Sequence, residues 1–440
     1  MSAYEPGEQI AEGKTKVILA VKEQPELVIV RSKPEITAHD DPTLTQSFES
    51  KARYANITTC NVFALLQASG IPVAFKQQLS ETEFLALKSE MVLLEIVARR
   101  LAVGSYLKRQ PNLATADPTQ PRRFHQLLVE FFLKTTGGQF FSAGMPKYAG
   151  QDKPIDDPLI LNPSEETWTL AHPKAPAWES GTVDGTFPNI AASLALGNGV
   201  DVAAKIKEFD LLVRRVSLVL ERAWANLGIT WVDIKIEVDS AGNVSDVVDN
   251  DSWRIWLDGE KLDKQVFRDG GADALEEVEQ KYGYVAGLSK RLVLPRQALV
   301  VMRGSASDDM PKIPDLPGVE VIDLVGSGHK ATAQTLNRVE RLFHGFPQGG
   351  VILAIAGRSN GLGPITAAHS PWPVISCPPK LGEHPEDVHS SIRMPSHVPN
   401  LTAWPASNGV EAAMQFLGMT NPAVYAIDQM AREGRDDYIA

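Results

Sequence analysis

At 440 residues, with 43% hydrophobic and 22% charged content, the chain is long enough for about two to three domains and has an ordinary globular composition. The net charge of -11 argues against a general nucleic-acid binder, though it leaves room for local basic pockets. No apolar run approaches the roughly 20 residues of a membrane span, and the start MSAYEPGEQI is unlike a leader peptide. Cys60 and Cys377 lie far apart in the sequence and suggest neither a disulfide framework nor a metal site. The expectation is a cytoplasmic protein without nucleic-acid or membrane partners.

KVILAV and ELVIV are short β-branched runs separated by KEQP, as in a β-hairpin. The preceding EGKTK ends like a P-loop, but five residues instead of four separate Gly7 from Gly13, and a strand rather than a helix follows. A Gly13-Lys14 turn could still fold over ATP phosphates; the alternative is a surface turn with exposed lysines. SKARYANITTCNVFALLQASG has helical spacing and stops at Gly70. EMVLLEIVARRLAVGS combines a buried strand with a basic pair. From Thr135 to Val200 periodicity is weak, which reads as an insertion or loop. DVAAKIKEFDLLVRRVSLVLERAWANLG is an amphipathic helix closed by Gly228.

WVDIKIEVDSAGNVSDVVDNDSWRIW follows. If Ser240 to Asn243 form a four-residue hairpin loop, Glu237 lies opposite Asp246 and shares a face with Asp233 and Lys235. Two carboxylates about 4 Å apart repel by roughly 4 kcal/mol at an effective dielectric near 20. A Mg²⁺ ion, which takes one or two carboxylates plus substrate phosphates, would reverse that sign. A five-residue loop would instead put Asp246 on the other face of a solvated acidic edge, and spacing alone leaves both open.

Near residues 291 to 297 the pattern changes to strands alternating with helices: ALVVM, GVEVIDLV, TAQTLNRVERLF, GVILAIA and PVISCP. That order predicts a doubly wound parallel sheet. The fold class is α/β in two domains, 1–290 and 297–440, with an α+β N-terminal domain of antiparallel sheets. A nicotinamide-type dinucleotide site is disfavoured, because no GxGxxG follows a strand with an acidic residue about 20 positions later.

EGKTK, SEM, RRLAVGS, DIKIE, DNDSWR and DKQVFRD occur in the order found in phosphoribosylaminoimidazole-succinocarboxamide synthetases, which residues 8–270 resemble. The resemblance implies ATP-driven amide formation between a carboxyaminoimidazole ribonucleotide (CAIR) and L-aspartate. Gly13, Lys14 and Lys16 would then bind ATP phosphates, and Glu90 and Met91 the adenine side. Glu237 and Asp246 would hold Mg²⁺ and serve the reaction. Arg100 and Ser105 would grip the imidazole nucleotide, with Arg254, Lys264 and Arg268 as further anion contacts. The stretch 135–200 is longer than the family's usual connection.

Residues 297–440 resemble phosphoribosylaminoimidazole carboxylases of the animal type, through RGSASD, GSGHK and AGRSNGLGP. Such enzymes add CO₂ to aminoimidazole ribonucleotide (AIR) without biotin or flavin. His329 would shuttle the proton and Lys330 bind anion. Gly304, Ser305, Ser307 and Asp308 would hold the ribonucleotide, with Gly357, Arg358, Ser359, Asn360 and Gly361 around the CO₂. The resemblance also implies a homo-octamer. Gly328 stands where that family usually has alanine, and the segment from Asp308 to Val319 is short for a helix. These departures motivate a second reading, an active synthetase with a catalytically silent C-terminal assembly scaffold.

Overall fold

The computed structural model describes residues 4–13, 15–37, 45–176, 179, 181–270 and 274–435. The chain divides into two compact units, Met1–Val293 and Leu294–Ala440.

The first unit is built on two large antiparallel sheets. The five-stranded sheet runs in the order Pro6–Glu12, Lys16–Val21, Leu27–Ser32, Glu83–Leu87, Phe75–Gln78. Helix Glu49–Ala68 packs against it through Phe63, whose ring stacks on Phe75 at 5.6 Å and meets Phe84 edge-on at 6.1 Å. The seven-stranded sheet is built on Arg123–Leu133, Leu94–Leu101, Thr230–Ile236 and Trp253–Leu257. Helix Val202–Ala225 backs it with an apolar stripe including Phe209, Val213, Val216 and Leu220. The Asp201 carboxylate caps that helix by accepting from the Ala204 amide at 3.0 Å.

The stretch predicted as insertion or loop is folded. Two-residue strands pair Lys147–Tyr148 with Val183–Asp184 and Thr167–Trp168 with Ile190–Ala191, and Trp168 is fully buried. Such short pairs leave too few residues for the alternation by which a strand is recognised.

The second unit is a parallel sheet in the order Val319–Val325, Gln297–Arg303, Gly350–Ile355, Val374–Cys377, Asn400–Thr402. Ala298, Val300, Met302, Ile352 and Ala354 face one core; Leu299, Val301, Val351, Leu353 and Ile355 face the other. Burial on both faces explains why these strands read as continuous apolar runs. Helices Thr332–Gly345 and Leu362–His369 contribute to the first core, Ala406–Gly418 and Pro422–Glu433 to the second. The crossover at 304–318 contains no helix; Leu316 and Ile313 pack into the second core in its place. Cys60 and Cys377 are buried free thiols, pushed up to about 12 by burial.

Candidate active sites

In the N-terminal unit the hairpin turn closes when the Gly13 amide donates to the Lys16 carbonyl at 2.9 Å. Lys14 lies outside the described residues. Lys16 pairs with Asp246, and Lys134 with Glu237. Burial lowers the Lys16 ammonium to about 8, with Glu237 the strongest charge opposing it. Burial raises the Glu237 carboxyl, but Lys134, Lys235 and Lys16 outweigh it and hold the group below the ordinary carboxylate range.

Glu237 and Asp246 therefore meet around Lys16, and they do so through the five-residue loop, the alternative expected to put Asp246 on the other face. Val238 bridges Val244, and the Ser245 amide donates to the Glu237 carbonyl at 3.1 Å, placing Glu237 across from Ser245. The cause is Asp239. Its buried carboxylate accepts from the Asn243 amide at 2.8 Å and from the Ser245 and Ser89 hydroxyls at 3.0 and 2.8 Å, which widens the turn by a residue. Trp253–Leu257 then supplies the strand that pairs with Thr230–Ile236.

Asp249, Asp251 and Lys51 extend this charged row, and the motif readings did not single them out. Burial, aided by Asp251, pushes the Asp249 carboxyl up to about 6. Burial also raises Asp251, but Lys264 and Lys51 hold it well below the usual range, at 3.6 and 3.2 Å. Lys264 thus faces a carboxylate here. Arg268 lies on the short helix Gln265–Gly270, its amide bonded to the Lys264 carbonyl at 3.1 Å. Glu90 and Met91 are exposed on the segment linking the two sheets; the Glu90 carbonyl accepts from the Ser240 amide at 2.8 Å.

Arg100 is a correction. It is fully buried, donating to Glu221 at 2.9 and 3.1 Å and to the Phe124 and His125 carbonyls at 3.1 and 2.7 Å. Successive side chains leave a strand on opposite faces, so Arg99 takes the other side. There it meets Asp233 at 2.6 Å, Glu130 at 2.7 Å and the Ser105 hydroxyl at 3.2 Å. Arg254 shares the same Asp233 oxygen at 2.5 Å. Gly104, with φ 61°, permits this approach: a Cβ there would lie 2.8 Å from an Arg254 nitrogen. Ser105, Asp233 and Arg254 thus gather around Arg99, itself only 3% exposed, and Arg100 does not join them.

In the C-terminal unit, strands Gln297–Arg303, Val319–Val325 and Gly350–Ile355 end in register, with Arg303 opposite both Val325 and Ile355. Their three following loops emerge at one sheet edge, around the point where strand order reverses. In the first loop the Asp308 carboxylate accepts from the Ser305 amide at 2.8 Å and the Ser305 and Ser307 hydroxyls bond at 2.9 Å; Gly304 packs against Ala356. In the second, His329 Nε2 lies 3.0 Å from the Ser359 carbonyl of the third loop. A carbonyl only accepts, so this contact places the proton on Nε2. Lys330 is exposed beside it, its amide bonded to the Ser327 hydroxyl at 3.0 Å. A Cβ on Gly328 would stand 3.0 Å from the Gly361 and Leu362 backbone, and one on Gly361 2.6 Å from the His329 ring.

After Gly357, Arg358 adopts φ 57°, a conformation costing a non-glycine residue about 1–3 kcal/mol. Its amide donates to Asp387 at 2.6 Å, which holds the turn. Asn360 is a second correction: its buried side chain donates to Ser391 at 3.1 Å and accepts from the Gly363 amide at 3.2 Å, so it braces the loop and does not face a ligand.

Two antiparallel sheets with a lysine–carboxylate row, and a doubly wound sheet with three converging loops, define a two-unit α/β protein. Residues 9–139 and 184–285 match the SAICAR synthetase family and residues 299–436 the AIR carboxylase family. The chain is 31% identical over 442 residues to the bifunctional phosphoribosylaminoimidazole carboxylase/phosphoribosylaminoimidazole succinocarboxamide synthetase of Homo sapiens, covering 96% of this chain and 92% of that one. Identity and coverage are the same with the multifunctional protein ADE2 of Gallus gallus. The chain belongs to this bifunctional carboxylase/synthetase family. Among solved structures, the phosphoribosylaminoimidazole-succinocarboxamide synthase from Ehrlichia chaffeensis is 23% identical with a TM-score of 0.47, covering 64% of this chain and 99% of that one.

Proposed function

We propose that the chain carries out two successive steps of de novo purine biosynthesis. The C-terminal unit joins CO₂ to AIR, and the N-terminal unit condenses the resulting CAIR with L-aspartate while ATP becomes ADP and phosphate. The observation that carries this reading is the 31% identity to a bifunctional relative across 96% of the chain, spanning both units.

In the ligase, Lys14 and Lys16 neutralise ATP phosphates while Glu90 and Met91 border the adenine. Arg99, Ser105 and Arg254 hold the imidazole nucleotide, and Lys264 and Arg268 extend the cationic surface. A CAIR carboxylate oxygen attacks the γ-phosphorus as the bond to ADP breaks. The aspartate amine then displaces phosphate from the acyl carbon and loses a proton. Positioning and charge neutralisation suffice for such a transfer. Glu237 and Asp246 suit Mg²⁺, because they offer hard carboxylate oxygens and leave room for phosphates. Among the described residues no group of three or more His, Cys, Asp and Glu forms a ready cage, which suits an ion arriving with the nucleotide. Mg²⁺ would supply charge neutralisation at the phosphates, with Lys16 and Lys134, paired with these carboxylates, as further cations beside it.

In the carboxylase, Gly304, Ser305, Ser307 and Asp308 hold the ribonucleotide and Lys330 its negative charge. Gly357, Arg358, Ser359 and Gly361 shape the CO₂ site. With Nε2–H held by the Ser359 carbonyl, His329 Nδ1 takes the proton from the imidazole carbon as the carbon–carbon bond forms. Neither biotin nor flavin takes part. Among the described residues no helix is long and apolar enough to cross a membrane; the resemblance supports a cytoplasmic homo-octamer.

The test is incubation with AIR, bicarbonate, ATP, Mg²⁺ and aspartate, with products identified by mass. Omitting aspartate should stop the sequence at CAIR; formation of neither product would overturn the proposal. The helix-free crossover at 304–318 is what raises the scaffold reading as the alternative to test. If wild type and His329→Ala both fail to decarboxylate CAIR while the purified protein remains octameric, that reading prevails.

A further inference from the structure

The SAICAR synthetase match passes over residues 140–183. This segment nevertheless joins the sheet that carries Arg99: Leu159 pairs with Phe132, and Leu159–Ile160 pairs with Leu170–Ala171. Trp168, fully buried, anchors it by donating from Nε1 to the Pro163 carbonyl at 2.9 Å. Beyond Ala171 the chain forms a strap, with the His172 ring edge-on to Tyr148 at 5.3 Å.

The strap reaches the arginine cluster through Arg109, a buried residue at the end of the short helix that begins with Ser105. One terminal nitrogen of Arg109 donates to the Pro173 carbonyl and the other to Glu130 Oε1. The second Glu130 oxygen accepts from Arg99 Nε at 2.7 Å. An unrestrained guanidinium prefers to take both oxygens of a carboxylate in a fork. By engaging one arm of Arg109, the Pro173 carbonyl prevents that fork and keeps Oε2 available to Arg99. Arg99 is thereby oriented toward Ser105 and Asp233.

We propose that the strap His172–Lys174 is a positioning element for the nucleotide-anion pocket, acting through Arg109 and Glu130 on Arg99. The inference rests on the ligase reading above, with Arg109 as a positioning residue that does not itself touch substrate.

The test measures ADP formation by the full-length protein while CAIR and ATP are varied separately. Arg109→Lys keeps the charge but loses the two-armed bridge, and is expected to raise the KM for CAIR about tenfold and that for ATP less than about twofold. A strap variant with His172, Pro173 and Lys174 all replaced by Gly should raise the KM for CAIR about three- to fivefold with the same selectivity. Unchanged CAIR dependence in the strap variant overturns the inference, as does a parallel rise in both KM values with a fall in Tm. If Arg109→Lys does not fold, the strap variant decides alone. A wild type that releases no ADP in response to CAIR and aspartate would overturn the ligase reading itself; an active wild type with an indifferent strap variant overturns only this inference.

Discussion

Arg100→Met separates the roles of two arginines that are both buried, on opposite faces of one strand, Arg100 at 0% and Arg99 at 3% exposure. Arg100 makes three contacts of 2.9 to 3.1 Å to Glu221 and two to backbone carbonyls. Its loss leaves a Glu221 side chain only 9% exposed, with Arg123 still paired to it at 2.8 Å. Removing one partner of a buried pair costs about 3–5 kcal/mol. Because Arg123 retains part of the compensation, the lower end applies, about 3 kcal/mol. For a domain of this size that lowers Tm by about 6–12 °C. Thermal unfolding of the full-length protein should show this drop, while the KM for CAIR stays within about twofold. Arg99→Lys should do the opposite: it keeps the charge but loses the fork, raising the KM for CAIR about tenfold with a smaller Tm change. A Tm left unchanged in Arg100→Met together with a large rise in the CAIR KM would refute the assignment of the two faces.

Lys16, at about 8 in the fold against an ordinary 10.5, gives a signed pH prediction. Between those values the unfolded chain binds more protons, so this group's contribution to stability rises with pH there, and its penalty is fully present below about 8. ATP binding runs the other way: its KM should climb above pH of about 8, and Lys16→Arg should flatten the profile. Asp249, at about 6 against 3.8, holds an extra proton in the fold over that interval, so stability falls as pH rises through it. Asp249→Asn should therefore raise Tm of the ligand-free protein at neutral pH, measured by calorimetry. Glu237→Gln should cut ligation about 100-fold or more, with CAIR decarboxylation unchanged in the same preparation.

The parallel unit was legible because strands buried on both faces leave unmistakable apolar runs, and each run ends in a glycine-containing loop. The long helix Val202–Ala225 was legible from its stripe and from Gly228, which adopts φ 78° just beyond it. The N-terminal pocket was only partly so. Arg99 and Arg100 are adjacent, chemically identical and both buried, and strand alternation guarantees that they diverge without telling which meets Glu221 and which Asp233. The hairpin register turned on Asp239, an internal hydrogen-bond acceptor that looks in sequence like one more acidic turn residue. Asn360 was misplaced for a similar reason: a polar side chain among glycines resembles a ligand contact, yet Ser391, distant in sequence, claims it. Long-range partners of this kind have no periodic signature.

The shortened crossover at 304–318 bears on whether the C-terminal unit can be active, since a loop that depended on the missing helix would lose its shape with it. The bonds that set the loop do not involve that helix. The Gly304 amide donates to the Ile355 carbonyl at 2.9 Å and the Gly326 amide to the Arg303 carbonyl at 3.0 Å, so neighbouring strands fix where the first two loops begin. Arg303 then reaches forward to the Ala306 and Asp308 carbonyls at 3.1 and 2.7 Å, while Asp323 of the adjacent strand holds its guanidinium. The Asp308 carboxylate closes the turn on Ser305. A loop fastened by its own strands and by one arginine keeps its shape whatever follows it, so the absent helix is poor grounds for a silent site. The tight Gly328–Gly361 approach points the same way, because it seats His329 on the Ser359 carbonyl with the proton on Nε2.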